Sequence, residues 1–192
     1  MPGTPEKNKS RLNARDIVLC ALFAALTAVG TFIKIPTPLL PITLQTLFVV
    51  LAGLVLGRRL GAVAIAVYVA AGLIGIPVFT QGGGPGYILN PTFGYIVSFI
   101  AGAWLAGFLS EEDKFTRLGN GVLRWFVAGV AAVALIYAMG IPYYWLVARY
   151  YLGRTIAAET IIWTFVLMPL PGDIVSCFAA ALAVKRLKAL KY

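Results

Sequence analysis

The feature that most constrains this chain is its set of long stretches without a single charged residue, cut short by small clusters of charge, proline and glycine. A charge at the centre of a bilayer helix costs at least about 2.5–3.5 kcal/mol. Runs of this kind therefore mark membrane spans, and the charges between them mark the water on either side. The first uncharged run, after Asp16, spans about 17–33 and ends at Lys34. Pro36, Pro38 and Pro41 then keep the chain extended or turning. A second span, 42–56, closes at Gly57, Arg58 and Arg59, and a third, 60–76, follows at once. The stretch from Pro77 to Pro91, with its glycines at 82, 83, 84 and 86, reads as a connecting loop. Spans at 92–109 and 122–141 flank a mixed-charge aqueous loop, Ser110 to Arg124. After Pro142 comes an aromatic stretch suited to a membrane interface, then a helical segment over 155–167 that Pro169 and Pro171 break, and a short last span, 172–184.

The expected fold is thus an all-α integral membrane protein: a polar tail, 1–15, and one six-helix bundle, 16–192. With 60% hydrophobic and 12% charged residues, the composition fits neither a soluble domain nor a disordered chain. An even number of crossings places both termini on one side. That side then carries all of the 16 basic residues except Lys34, Arg149 and Arg154, which makes it cytoplasmic. The net charge of +9 is accordingly an orientation signal spread over separate segments and does not point to nucleic acid.

The chain has no histidine, which excludes Ser-His and Cys-His nucleophile pairs and HExxH zinc sites. Cys20 and Cys177 sit inside apolar runs and read as small hydrophobes. No GxxxxGK[ST] motif is present, so any ATP-driven work needs a partner's ATPase. No catalytic residue, metal ligand or cofactor is expected.

Asp173, at the start of the last span, is the most informative residue. It could serve as a helix N-cap, as a ligand acceptor, or as both. On the same outer half lie Gln45, either interhelical glue or a ligand contact; Asn90, which with Pro91 suits a helix cap; Tyr95; and the run from Tyr143 to Arg149, whose aromatics suit interface anchors. Ala21, Ala24, Ala25 and Ala28 form a small-residue stripe on the first span, fit for close approach of another helix inside or outside the bundle.

The run from Ile35 to Gly61, with GlyLeuIleGlyIleProValPhe at 72–79, AsnProThrPheGlyTyr at 90–95 and LeuProGlyAsp at 170–173, resembles the BioY family, the biotin-binding S components of energy-coupling factor (ECF) transporters. The likeness extends over roughly 14–188. It implies six helices with cytoplasmic termini in a prokaryotic plasma membrane and high-affinity capture of biotin on the outer side. It also implies docking through an AlaxxxAla motif, here Ala21 and Ala25 with Ala24 and Ala28 as a second register, to a transmembrane T component and two ATPase subunits. Biotin would be cargo, not cofactor. An S component for another small vitamin, or a stand-alone facilitator or channel, are the alternatives. One departure concerns the ligand's acid end: the family commonly has Lys three residues after the aspartate, and this chain has Ser176. The carboxylate then needs another cation, and Arg149, among aromatics near the outer interface, is the candidate ahead of Lys34 and Arg154.

Overall fold

The computed structural model describes residues 13–37, 39–111 and 121–189. Most of the polar tail with its Lys7, Lys9 and Arg11, Pro38, the greater part of the Ser110 to Arg124 loop, and Lys191 lie outside the described residues. Among the described residues five helices are long and apolar enough to cross a membrane.

The first, α1 (Ala14–Phe32), begins at Asn13, whose backbone N–H donates to the Asp16 carboxylate at 3.2 Å. That carboxylate also meets the positive end of the helix dipole. The proline-rich segment beyond α1 folds into a small antiparallel hairpin of β1 (Lys34–Ile35) and β2 (Ile42–Thr43), pairing Lys34 with Thr43. The sequence reading has an extended or turning segment here but no strand pairing.

Helix α2 (Gln45–Leu73) is interrupted at Gly57, whose φ of 82° and ψ of 174° are open essentially to glycine alone. In a continuous helix positions 53 and 61 would be about 12 Å apart. Here a Cβ added to Gly61 would lie 2.8 Å from the Gly53 Cα. Likewise, Gln45 Nε2 donates to the Tyr68 hydroxyl at 2.6 Å across 23 positions. The chain therefore reverses at Gly57, and the two arms of α2, which correspond to the expected spans 42–56 and 60–76, pack side by side. The end of α3 (Phe93–Glu111) clamps this reversal. Glu111 accepts from the Arg58 backbone N–H at 3.0 Å and pairs with Arg58 Nε at 3.3 Å, and Gly107 leaves room for the Arg58 backbone.

Helix α4 (Val122–Tyr150) runs through Pro142, nine residues beyond the expected end at 141. Proline there removes one backbone donor, a loss that membrane helices packed among neighbours tolerate. The aromatic stretch 143–150 is consequently the last turns of a helix, with helical periodicity. Gly153, at φ +63°, ends this region and turns the chain so that the Arg154 N–H donates to the Ala148 carbonyl at 2.9 Å.

Pro169 and Pro171 do not break the final segment as expected. A short helix, α5 (Ala158–Ile162), passes through a π-helical turn at Trp163–Leu167 into α6 (Leu170–Ala189). The Asp173 N–H donates to the Pro169 carbonyl at 3.0 Å, and Pro171 sits in the first turn, where its missing N–H costs nothing. This lengthens the short span expected at 172–184. Cys20 beside Leu60, and Lys188 over the Trp125 ring at 4.9 Å, put the start of α1 and the end of α6 at the Arg58–Glu111 end of the bundle. Asp173 lies toward the other end.

Gly57→Ala should destabilise the protein by about 1–3 kcal/mol, the cost of this backbone region for a residue with a Cβ. Gly86→Ala, whose Cβ enters open space, should leave the melting temperature in detergent unchanged. Thermal unfolding of the two variants beside the parent protein measures the difference.

Candidate functional site

At the end of the bundle away from Arg58, a small cavity opens among α2, α3, α4 and α6. Its floor is Asp173, only 6% exposed. The start of α6 holds the carboxylate in place, the Tyr137 hydroxyl of α4 donates to its Oδ2, and the Thr46 hydroxyl of α2 donates toward it as well. A carboxylate has about four lone-pair positions, so two remain for a guest. Because the cavity is walled by Ile96, Phe99 and Ile136, any hydrogen bond to Asp173 forms with little competition from water.

Tyr95, on α3, lines the same cavity and is 6% exposed, and among the described residues its hydroxyl has no hydrogen-bond partner. Its ring meets that of Tyr137 edge-on at 6.3 Å. A buried hydroxyl left without a partner costs about 1–3 kcal/mol, and the residue that carries it belongs to the cavity lining. Gln45 also lines the cavity, but most of its capacity is used inside the protein: Nε2 donates to Tyr68, and Oε1 accepts from the Thr43 hydroxyl at 3.0 Å. Its two readings therefore coexist, since it ties the arms of α2 together and leaves one N–H over.

The remaining expected residues do not reach this cavity. Asn90 caps the approach to α3, accepting from the Thr92 N–H at 3.0 Å and the Thr92 hydroxyl at 2.8 Å, and it lines a neighbouring opening. The Tyr143 hydroxyl donates to the Ile88 carbonyl, so this residue fastens the loop before α3. Arg149 is exposed on the outer surface with its guanidinium 5.3 Å from the centre of the Trp145 ring. The reason is periodicity. Because α4 continues past Pro142, Tyr144 and Ala148 face inward, and Arg149, about 100° further round, faces outward. Ser176 opens into a groove that it shares with Lys34 and Val175, not into the Asp173 cavity.

Tyr137, Thr46, Thr80 and Thr92 line the cavity and were missed from sequence. Tyr137 had one usable signal, a lone phenol in the otherwise apolar, non-aromatic stretch 127–141. The threonines carry no such mark.

The loop over 74–92 covers the site. Phe79 packs on Gly72 with its ring 5.6 Å from Tyr68 and 4.7 Å from Tyr87, and Lys34 Nζ donates to the Thr80 carbonyl at 3.0 Å. On α1 the alanine stripe divides. Ala24 is buried and Ala28 packs against the core, while Ala21 and Ala25 are exposed.

The fold has a counterpart among solved structures: the crystal structure of the S-component for biotin from an ECF-type ABC transporter superposes with a TM-score of 0.81, at 23% identity, over 94% of this chain and 95% of that one. Among curated proteins, the probable biotin transporter BioY of Lysinibacillus sphaericus is 40% identical over 172 residues, 90% of this chain and 86% of the relative. The probable biotin transporter BioY of Pyrococcus horikoshii is 36% identical over 181 residues, 92% and 98% of the two chains. The BioY family model matches residues 6–191. With nearly its whole length matched by that family and by relatives of similar size, this multi-pass membrane chain belongs to the BioY family.

Proposed function

We propose that the chain is the S component of an ECF transporter and captures biotin in the Asp173 cavity. The observation that carries the site is a buried carboxylate with lone pairs to spare beside a tyrosine hydroxyl with no partner. Biotin's cyclic urea has two N–H donors and one carbonyl acceptor, the complement of Asp173 and Tyr95. Its thiophane ring and alkyl chain suit the wall of Ile96, Phe99 and Ile136. The reading draws further support from the two relatives whose names carry biotin transport. No prosthetic group is needed, because biotin is the cargo.

Topology follows the same reading. Counting the arms of α2 separately, the chain crosses six times with both termini cytoplasmic. Supporting this, Arg58, Arg59, Arg124, Lys185 and Arg186 belong to segments at the end of the bundle opposite the cavity. Energy comes from partner subunits, a transmembrane T component and ATPases, since the chain has no phosphate-binding loop of its own. The exposed Ala21 and Ala25 form the docking register on α1, where only small side chains let a partner helix come close. The buried Ala24 and the partly buried Ala28 belong to internal packing.

Calorimetric titration of the purified protein with biotin tests the site. Asp173→Asn removes an acceptor whose charge-assisted bonds are worth about 1.5–3 kcal/mol each, so biotin affinity should fall at least about tenfold. Unaltered affinity would rule out Asp173 as the urea acceptor. Tyr95→Phe should weaken biotin while leaving the unliganded protein as stable as before or more so, because it removes an unsatisfied hydroxyl. Tyr137→Phe, in contrast, should lower the melting temperature, since it strips Asp173 of an internal donor.

Ala25→Trp should spare biotin binding and prevent co-purification with the T component and ATPases. Recovery of an intact complex with this variant would reassign the exposed alanines to lipid contact.

A further inference from the structure

Adjoining the Asp173 cavity, and sharing Thr92 with it, is a second opening whose wall includes Arg154, Gln81, Asn90 and Tyr144. It differs from the first in chemistry. Among the described residues no acidic side chain lines it, and its polar groups are mainly donors. Asn90 Nδ2 donates to Gln81 Oε1 at 2.8 Å, which occupies the Gln81 carbonyl and leaves its amide N–H groups available. Among the described residues the Arg154 guanidinium has neither an ion pair nor a side-chain hydrogen bond, and its backbone is held by the turn at Gly153. Lys34, the other basic residue near the loop, already donates to the Thr80 carbonyl at 3.0 Å.

The two openings are set apart by a definite length of helix. Tyr137, which binds Asp173, and Tyr144, on the wall of the second opening, are two turns apart on the inward side of α4, about 10 Å along its axis. A guest whose neutral polar head bonds to Asp173, and whose chain runs along α4 past Thr92, brings its far end to Arg154. We infer that Arg154 binds the carboxylate of the cargo, so that the molecule is gripped at both ends: the neutral head by Asp173, the anionic tail by the only guanidinium lining the second opening. This rests on the reading of the Asp173 cavity as the biotin site, and biotin has this shape, a fused bicycle carrying a pentanoic acid. A lipid phosphate is the other anion such a guanidinium attracts near a membrane surface.

The test is titration of the parent protein, R154Q, R154K and K34Q with biotin and with its neutral primary amide, in micelles and in vesicles with and without anionic lipid. The parent should prefer the acid to the amide. R154Q should lose about 10- to 150-fold in affinity for the acid, the value of one charge-assisted contact, and keep its affinity for the amide. R154K should recover part of the loss, and K34Q should keep the preference for the acid. Equal loss of acid and amide in R154Q, an acid-selective loss confined to K34Q, or a change only in the dependence of stability on anionic lipid would each overturn the assignment. Failure of the parent to bind either compound would instead overturn the biotin reading on which it stands.

Discussion

Close backbone approach holds this bundle together. Inside a bilayer there is no hydrophobic drive between helices, so association depends on packing and on polar contacts. The contact between α2 and α3 is built on glycine. A Cβ at Gly53 would strike the Ala103 carbonyl, and one at Gly107 would strike the backbone at Arg58. The contact between α3 and α4 works the same way, with Gly102 under Ile136, Gly94 under Tyr143 and Gly140 under Tyr95. Glycine on one helix thus seats a large side chain of the next, and Tyr95 is held against α4 in the orientation that puts it on the cavity wall.

The hairpin at Gly57 has a similar consequence at a distance. Because α2 doubles back, Gln45 at its start and Tyr68 near its end come together, and their hydrogen bond closes the outer end of the two arms. The Tyr68 hydroxyl also donates to the Val78 carbonyl at 3.1 Å, which joins the hairpin to the covering loop. Phe79, Tyr87, Phe93 and Tyr143 continue that connection as ring contacts from α2 to α4. The cavity lies beneath a loop fastened on several sides, and its polar groups are fixed before a guest arrives, which reduces the ordering cost of binding.

A carboxylate at this depth is expensive. The protein stabilises Asp173 with hydroxyl donors from two other helices and leaves the rest of its hydrogen-bonding capacity open to the cavity. The neighbouring opening, with Arg154 and no acid, is of opposite sign. Opposed charges in two adjoining openings suit a cargo with N–H donors at one end and an anion at the other.

Membrane insertion, the all-helical architecture and the place of Asp173 at the start of the last helix were legible from the sequence because each depends on local properties: charge spacing, apolar run length, and an acid where none is easily tolerated. The end of α4 was not, because whether a helix passes through Pro142 depends on neighbours that stabilise the interrupted turn. That one difference moved Arg149 to the outer face, since each residue of a helix turns the side chain by about 100°. Tyr137 and Thr46 escaped notice for a related reason: their role comes from lying against Asp173, on a helix far away in sequence. The alanine stripe could be read as a set of small residues, yet only the packed bundle separated the buried Ala24 from the exposed Ala21 and Ala25. Sequence alone determined which segments enter the membrane, because the bilayer acts on each segment separately. Tertiary structure decided which side chains share a cavity, because that depends on contacts between helices that no single segment contains.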